Sequence, residues 1–221
     1  MRHKWEEYFP ERVRMRKRCR RAGALALLIL LPLYAWRVIS VNAEWQAPPR
    51  QVVPLGEEVG FGSNYIDDPQ LQNSDGYFIR VRKTELATME SVIERSAFTR
   101  EEFEQYMIFE QRRLGSLPEH VLIVETEIRN ESNTDTGIDC IFWRLQLKET
   151  YMTQDSHIYS VLNPDMRGSE RFRLKVGMTK TVYLAYPLSE HLWPEAPERI
   201  LEEDPLLVLT EAPVSLRMKL K

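Results

Sequence analysis

The chain has 221 residues, 43% of them hydrophobic, and its 33 acidic and 30 basic side chains leave a net charge of −3. The charge is uneven: residues 1–41 hold ten Lys and Arg against three Asp and Glu, which leaves 20 and 30 for residues 42–221. An acidic body repels phosphate backbones, so nucleic acid is excluded as its partner, and a lone cysteine there, Cys140, excludes an internal disulfide.

In chain order, residues 1–21 read as a basic cytosolic head, with Arg12, Arg14, Arg16, Lys17, Arg18, Arg20 and Arg21. They lead into residues 22–41, an apolar stretch long enough to span a bilayer, for which a helix needs roughly 20 residues. Positive charge stays on the cytosolic side, so the segment is predicted to be a single transmembrane helix with everything after it outside the cell membrane. Leu25, Leu28 and Leu31 form the anchor's apolar body, and Trp36 and Arg37 sit at its outer end, where a ring and a snorkelling guanidinium suit the interface. Membrane lipids are the expected partners of this anchor, and anionic headgroups of the basic head. Pro32 is expected to kink the helix. The rival reading is a cleaved signal peptide, with Val41-Asn42-Ala43 preceding a cut before Glu44. Cys19 precedes the apolar core, where no lipoprotein signal places its cysteine.

Residues 42–51, with Ala47-Pro48-Pro49-Arg50, read as a short extended linker. Residues 52–221 are dominated by period-two patterning. Tyr77, Ile79 and Val81 alternate with Phe78, Arg80 and Arg82; Leu122, Val124, Thr126 and Ile128 with Ile123, Glu125 and Glu127. Similar alternation marks residues 141–147, 171–176, 181–186 and 214–220, with weaker strands at 52–61, 156–161 and 206–210. A period of two gives each strand two unlike faces, and this many strands predict two stacked antiparallel sheets. One stretch breaks the pattern. Thr99 and Glu102 form a capping-box pair, and Phe103, Tyr106, Met107 and Glu110 share a helical face, so a helix is expected over 100–113 in an insertion at 99–113. It either closes one end of the sandwich or presents a partner-binding face.

No chemistry-bearing constellation emerges. His3, His120, His157 and His191 lack ligand spacing, Cys140 lacks a thiol partner, and there is no nucleophile elbow or phosphate loop. No catalytic, cofactor-binding or metal-binding residue is therefore assigned, and the chain is not expected to be an enzyme. Tyr106, Met107 and the outward-facing Phe142 form the candidate interaction surface.

Several segments together resemble a family of small uncharacterised extracytoplasmic proteins of Gram-positive bacteria with telokin-like, immunoglobulin-like domains. The resemblance rests on Val53-Pro54-Leu55-Gly56-Glu57, on Asp75-Gly76-Tyr77-Phe78-Ile79-Arg80-Val81, on Leu122-Ile123-Val124 running to Ile128-Arg129-Asn130-Glu131-Ser132-Asn133, and on Leu174-Lys175-Val176-Gly177-Met178-Thr179-Lys180-Thr181-Val182-Tyr183. It implies a mainly β, immunoglobulin-like antiparallel sandwich at 52–221 and supplies no catalytic residues. The expected role is a membrane-anchored, non-catalytic module that binds an envelope protein or polymer. The alternatives are an accessory subunit of a membrane transport or secretion complex, or a secreted protein.

Overall fold

The computed structural model describes residues 10–44, 47–66, 68, 73–96, 98–107, 118–135, 137–166, 169–188 and 197–221. The chain divides into two compact units, Met1–Ala47 and Pro48–Lys221.

In the first unit α1 (Pro10–Glu44) is one 35-residue helix that contains Pro32. Basic residues of the expected head and the whole apolar stretch are thus continuous helix, which runs on into the expected linker. The part Ala22–Ala43 has a mean hydropathy of 2.0, none of it is buried, and by length and composition it could cross a membrane. A signal sequence meets the same description.

The second unit is built on two sheets whose apolar faces share a core. β1 (Arg50–Val53), β11 (Ser215–Lys219), β10 (Leu206–Val208), β6 (Arg144–Leu147) and β7 (Thr150–Thr153) form one sheet in that order. β2 (Glu58–Gly60), β3 (Tyr77–Thr88), β4 (His120–Asn130) and β9 (Thr179–Leu188) form the other. β5 (Ile138–Asp139) and β8 (Arg171–Phe172) pair as a short ladder. Ile79, Val81, Leu122, Val124, Val182 and Leu184 from one sheet pack with Leu145, Leu207, Leu216 and Met218 from the other. This is a mainly β sandwich, as the alternating pattern predicts.

Four expectations are corrected. The sheets are not wholly antiparallel: β1 runs parallel to β11, from Arg50 beside Ser215 to Val53 beside Met218. No turn joins these two strands, so nothing imposes a hairpin direction on them. The helix expected over 100–113 is α3 (Arg100–Tyr106), with Thr99 and Glu102 forming the capping box and Met107 as the C-cap; residues 108–113 lie outside those described. The weak strand expected at 156–161 is α4 (Ser156–Leu162), because the Asp155 carboxylate accepts from the His157 and Ile158 amides, both at 2.9 Å, and opens a helix there. The strand expected at 171–176 stops at Phe172, since the chain turns at residues 175–178, where the Met178 amide bonds the Lys175 carbonyl at 3.0 Å.

A second apolar cluster sits on the outer face of the β3–β4–β9 sheet. Val121, Ile123, Ala87 and Ala185 from the strands meet Val92 and Ile93 of α2 (Met89–Arg95), Phe103 of α3, Met107, and Ile158 and Val161 of α4. This explains the four apolar residues in a row that begin β4. Val121 and Ile123 face the helices while Leu122 and Val124 face the sandwich core, so both faces of the sheet are covered there.

The ends of the sandwich differ. The chain enters at Pro48, and the Ser215 amide bonds the Pro49 carbonyl at 2.9 Å. The Val214 amide reaches Asn64 at 3.1 Å, the Phe61 amide reaches the Tyr77 carbonyl at 3.0 Å, and Tyr77 faces Asn130. The Gly177 amide bonds the Asn130 carbonyl at 2.8 Å. All of these lie at one end, the near end. β3 leads away from it, and α2 follows at the far end.

Candidate functional site: a groove on the outer sheet face

The helices cover only the far half of the outer face. Where they stop, a groove of about 450 Å³ opens, lined by Lys83, Glu85, Arg95, Ile123, Glu125, Leu162 and Tyr183. Register explains its composition. Lys83, Glu125 and Tyr183 form one cross-strand row, and Glu85, Ile123 and Ala185 the next. A β-bulge between Val81 and Lys83 lets this happen. Unbroken alternation from Tyr77, Ile79 and Val81 would turn Lys83 into the core. The extra residue instead puts both Arg82 and Lys83 outside and returns Leu86 to the inner side. Arg95 ends α2 and Leu162 ends α4, so the helices supply the remaining walls.

The two carboxylates of the groove are in different states of pairing. Glu85 accepts from Lys83 at 2.8 Å and from Arg95. The Arg95 hydrogen bond, followed by that of Lys83, holds the Glu85 carboxyl below its ordinary value. Both cations are thereby engaged by one carboxylate on one wall. The Glu125 carboxylate makes no ion pair or hydrogen bond among the described residues, and Glu125 stands between Lys83 and Tyr183 in the cross-strand row, beside Ile123 and Leu162 in the groove lining. Such an arrangement can receive a cationic group at the carboxylate and ring and an apolar stem against Ile123 and Leu162.

Toward the near end the same face carries a ladder of charges. Arg82 pairs with Glu127 at 2.6 Å, and Arg129 grips Glu58 through Nη2 at 2.8 Å and Nε at 3.2 Å while lying 4.6 Å above the Phe78 ring. The Arg129 bond pulls the Glu58 carboxyl down. Among the described residues no three His, Cys, Asp or Glu side chains gather as a metal site. The Asn133 side-chain amide donates to the Asn73 and Asp75 carbonyls at 3.1 and 2.6 Å and so stitches turns together.

The predicted interaction residues do not form one surface. Tyr106 is 37% exposed at the far end, between the Phe98 ring at 5.5 Å and the His157 ring at 5.3 Å. Met107 is corrected: it is fully buried, because as the C-cap of α3 it turns into the cluster around Phe103. Phe142 is also corrected. It lies half-buried in the turn before β6, at the near end, and not outward on a strand. Leu25, Leu28, Leu31, Trp36 and Arg37 are all exposed on α1. Sequence reasoning missed the groove. Its traces were the adjacent Arg82-Lys83 pair after a strict alternation and the doubly apolar start of β4.

Fold and site together define a β-sandwich protein with a helix-walled groove and one long apolar helix. The chain belongs to the family described as a domain of unknown function, DUF5028, which matches residues 50–215. No functionally curated protein matches the chain. The chain is similar to an uncharacterized β-sandwich protein from Clostridium difficile 630, whose crystal structure aligns over 80% of this chain and 99% of that one at 11% identity and a TM-score of 0.38.

Proposed function

We propose that this is a single-pass membrane protein whose sandwich lies outside the cell membrane and serves as a non-catalytic binding module. One observation carries the reading: the Ala22–Ala43 helix has none of its apolar surface buried and directly follows a basic block. Exposed apolar surface on that scale is stable in lipid and not in water, and the charge asymmetry orients it with the sandwich outside. The immunoglobulin-like assignment belongs to the same proposal. The order β11-β10-β6-β7 follows the G-F-C-C′ order of variable-type domains, and β3-β4-β9 follows A-B-E.

The groove is the proposed binding site, and an amine-bearing envelope protein or polymer is its ligand class. Glu125 supplies an uncommitted carboxylate, Tyr183 a ring face, and Ile123 and Leu162 an apolar rest. The test is protease treatment of intact cells, followed by intact-mass measurement of the protein from washed membranes. Digestion of the sandwich from outside, with a full-length mass in untreated membranes, supports the anchor. Protection of the sandwich in intact cells rejects the topology, and a soluble product beginning at Glu44 identifies a cleaved signal peptide. Binding is read separately: Glu125→Gln should abolish retention on an immobilised alkylammonium probe, and unchanged retention removes the groove from the proposal.

A further inference from the structure

We propose that the turn at residues 175–178 dips into the headgroup layer of the membrane that carries α1. This rests on the anchoring reading above. Val176 and Met178 are the two most exposed large apolar side chains among the described residues of the sandwich, at 51% and 54%. They do not sit on a loose loop. The Met178 amide closes the turn on the Lys175 carbonyl, and Gly177 takes a φ of +82° at the third position, as a type II turn requires. Asn130 fixes the turn from below. Its amide bonds the Met178 carbonyl at 3.0 Å, its carbonyl accepts from Gly177 at 2.8 Å, and its side-chain amide donates to the Leu174 carbonyl at 2.7 Å. Asn130 is itself fully buried, and the Tyr77 hydroxyl accepts from the Leu174 amide at 3.2 Å. No heavy atom lies within 4 Å of where a Cβ on Gly177 would sit, so the tip stands clear of the fold. A rigid turn that holds two apolar side chains in water is favoured only where something apolar receives them.

The occupant follows from the tether. The chain enters the sandwich at its near end, where this turn also lies. Six residues, and so seven Cα–Cα steps, separate Ala43, the end of the apolar stretch, from Arg50, the start of β1. Fully extended, they reach no more than about 25 Å. The 12 residues of β3 alone carry the far end about 40 Å away from the near one. The tether thus keeps the near end within about 25 Å of the bilayer, whereas the far end meets it only if the sandwich lies on its side. Charge agrees with lipid. The Lys175 ammonium is exposed with no partner among the described residues, and Arg173 is exposed and donates to the Thr134 carbonyl. The neighbouring Glu131 pairs with Arg129 at 3.3 Å. Apolar tips flanked by exposed cations suit an interface with anionic headgroups.

The test uses the full chain in vesicles of phosphatidylcholine and phosphatidylglycerol. Cys19→Ser removes the exposed thiol, and the buried Cys140 stays unlabelled. An environment-sensitive fluorophore is placed through Val176→Cys, through Met178→Cys as a second variant, or through Glu101→Cys on α3 as the far-end control. The expected result is quenching of the first two labels by lipids carrying a spin label at headgroup depth, with loss of their accessibility to iodide, while the Glu101 label stays aqueous. Labels at 176 and 178 as open to iodide as the one at 101, on vesicles that the chain co-floats with, overturn this proposal alone; a protein-docking tip would give that outcome. A chain that fails to float overturns the anchor and this proposal with it.

Discussion

Asn163 stands in for a β-strand beside Tyr183. Its side-chain oxygen accepts from the Tyr183 amide at 2.9 Å and its side-chain nitrogen donates to the Tyr183 carbonyl at 2.8 Å. β9 is the edge of its sheet, and these are the groups a further strand would have paired. The same nitrogen also donates to the Tyr159 carbonyl at 2.8 Å, so Asn163 both ends α4 and closes the sheet edge at the groove. Asn163→Ala leaves two partly buried backbone groups unpaired and should lower stability by about 1–3 kcal/mol. Denaturant unfolding of the full chain in detergent reads this as a lower midpoint. A midpoint within error of the wild type removes Asn163 from its role.

The helix layer has its own core, and Phe103 and Tyr106 of α3 should behave differently. Phe103 is fully buried among Val121, Ile123 and Ile158. Phe103→Ala should cost about 3–5 kcal/mol. Tyr106 is partly exposed and contributes mainly its contacts with Phe98 and His157, so Tyr106→Ala should cost about 0.5–1.5 kcal/mol. Hydrogen exchange offers a sharper reading. Phe103→Ala should release protection in α2, α3 and α4 before it releases protection in β6, β10 and β11. Uniform loss would show that the two clusters unfold as one.

Cys140 should be inert. Burial, the dominant effect, pushes its thiol up to about 12, and the thiol donates to the Glu170 carbonyl at 3.0 Å. The thiolate is the reactive form, so the folded chain should take one iodoacetamide, at the exposed Cys19, in mildly alkaline buffer. Mass spectrometry should find the second addition only after denaturation. Rapid double labelling of the folded chain would contradict the burial argument.

Carboxylates in different surroundings within the sandwich should move stability in opposite senses with pH. Arg129 holds Glu58 low, and Arg95 with Lys83 holds Glu85 low. Their contribution is complete above the unfolded value of about 4.3 and fades as pH falls through the lower folded values. Asp139 is shifted the other way, chiefly by burial, so folding favours its protonated form and its ionisation opposes folding as pH rises. Asp139→Asn, which keeps an acceptor for the Ile141 amide at 3.3 Å, should therefore stabilise the protein at neutral pH and lose that advantage in acid. Glu85→Gln should destabilise at neutral pH and be silent in acid. Melting temperatures of both variants across the acid range decide it, and parallel curves would refute the assignment.

What the linear chain reveals is the pattern of each face. The alternation in residues 77–81 and 122–128 marks strands because a two-residue repeat is the geometry of a pleated backbone. Thr99 and Glu102 announce α3 because a capping box is a local, self-contained set of hydrogen bonds. α4 was harder to see. Its buried Ile158, Tyr159 and Val161 fit a short strand as well as a helix, and the decision came from the Asp155 cap and from the second cluster, which receives Ile158 and Val161 while Tyr159 joins the sandwich core. Met107 illustrates the same limit, since a residue on an apolar helical face is a surface or a core residue only according to what lies opposite.

The sequence by itself determined a mainly β body, an apolar helix after a basic block, and an acidic domain beyond it, because composition and periodicity are properties of neighbouring residues. Tertiary structure alone decided that β1 runs parallel to β11, that a bulge turns Lys83 outward, and that Glu85 is paired while Glu125 is not. It also brought Arg95 and Leu162 to the sheet face that carries Tyr183. These outcomes depend on register between strands far apart in the chain, and one residue of slip exchanges the faces of a strand. A groove built across three strands and two helix ends is therefore absent from any local window of the sequence.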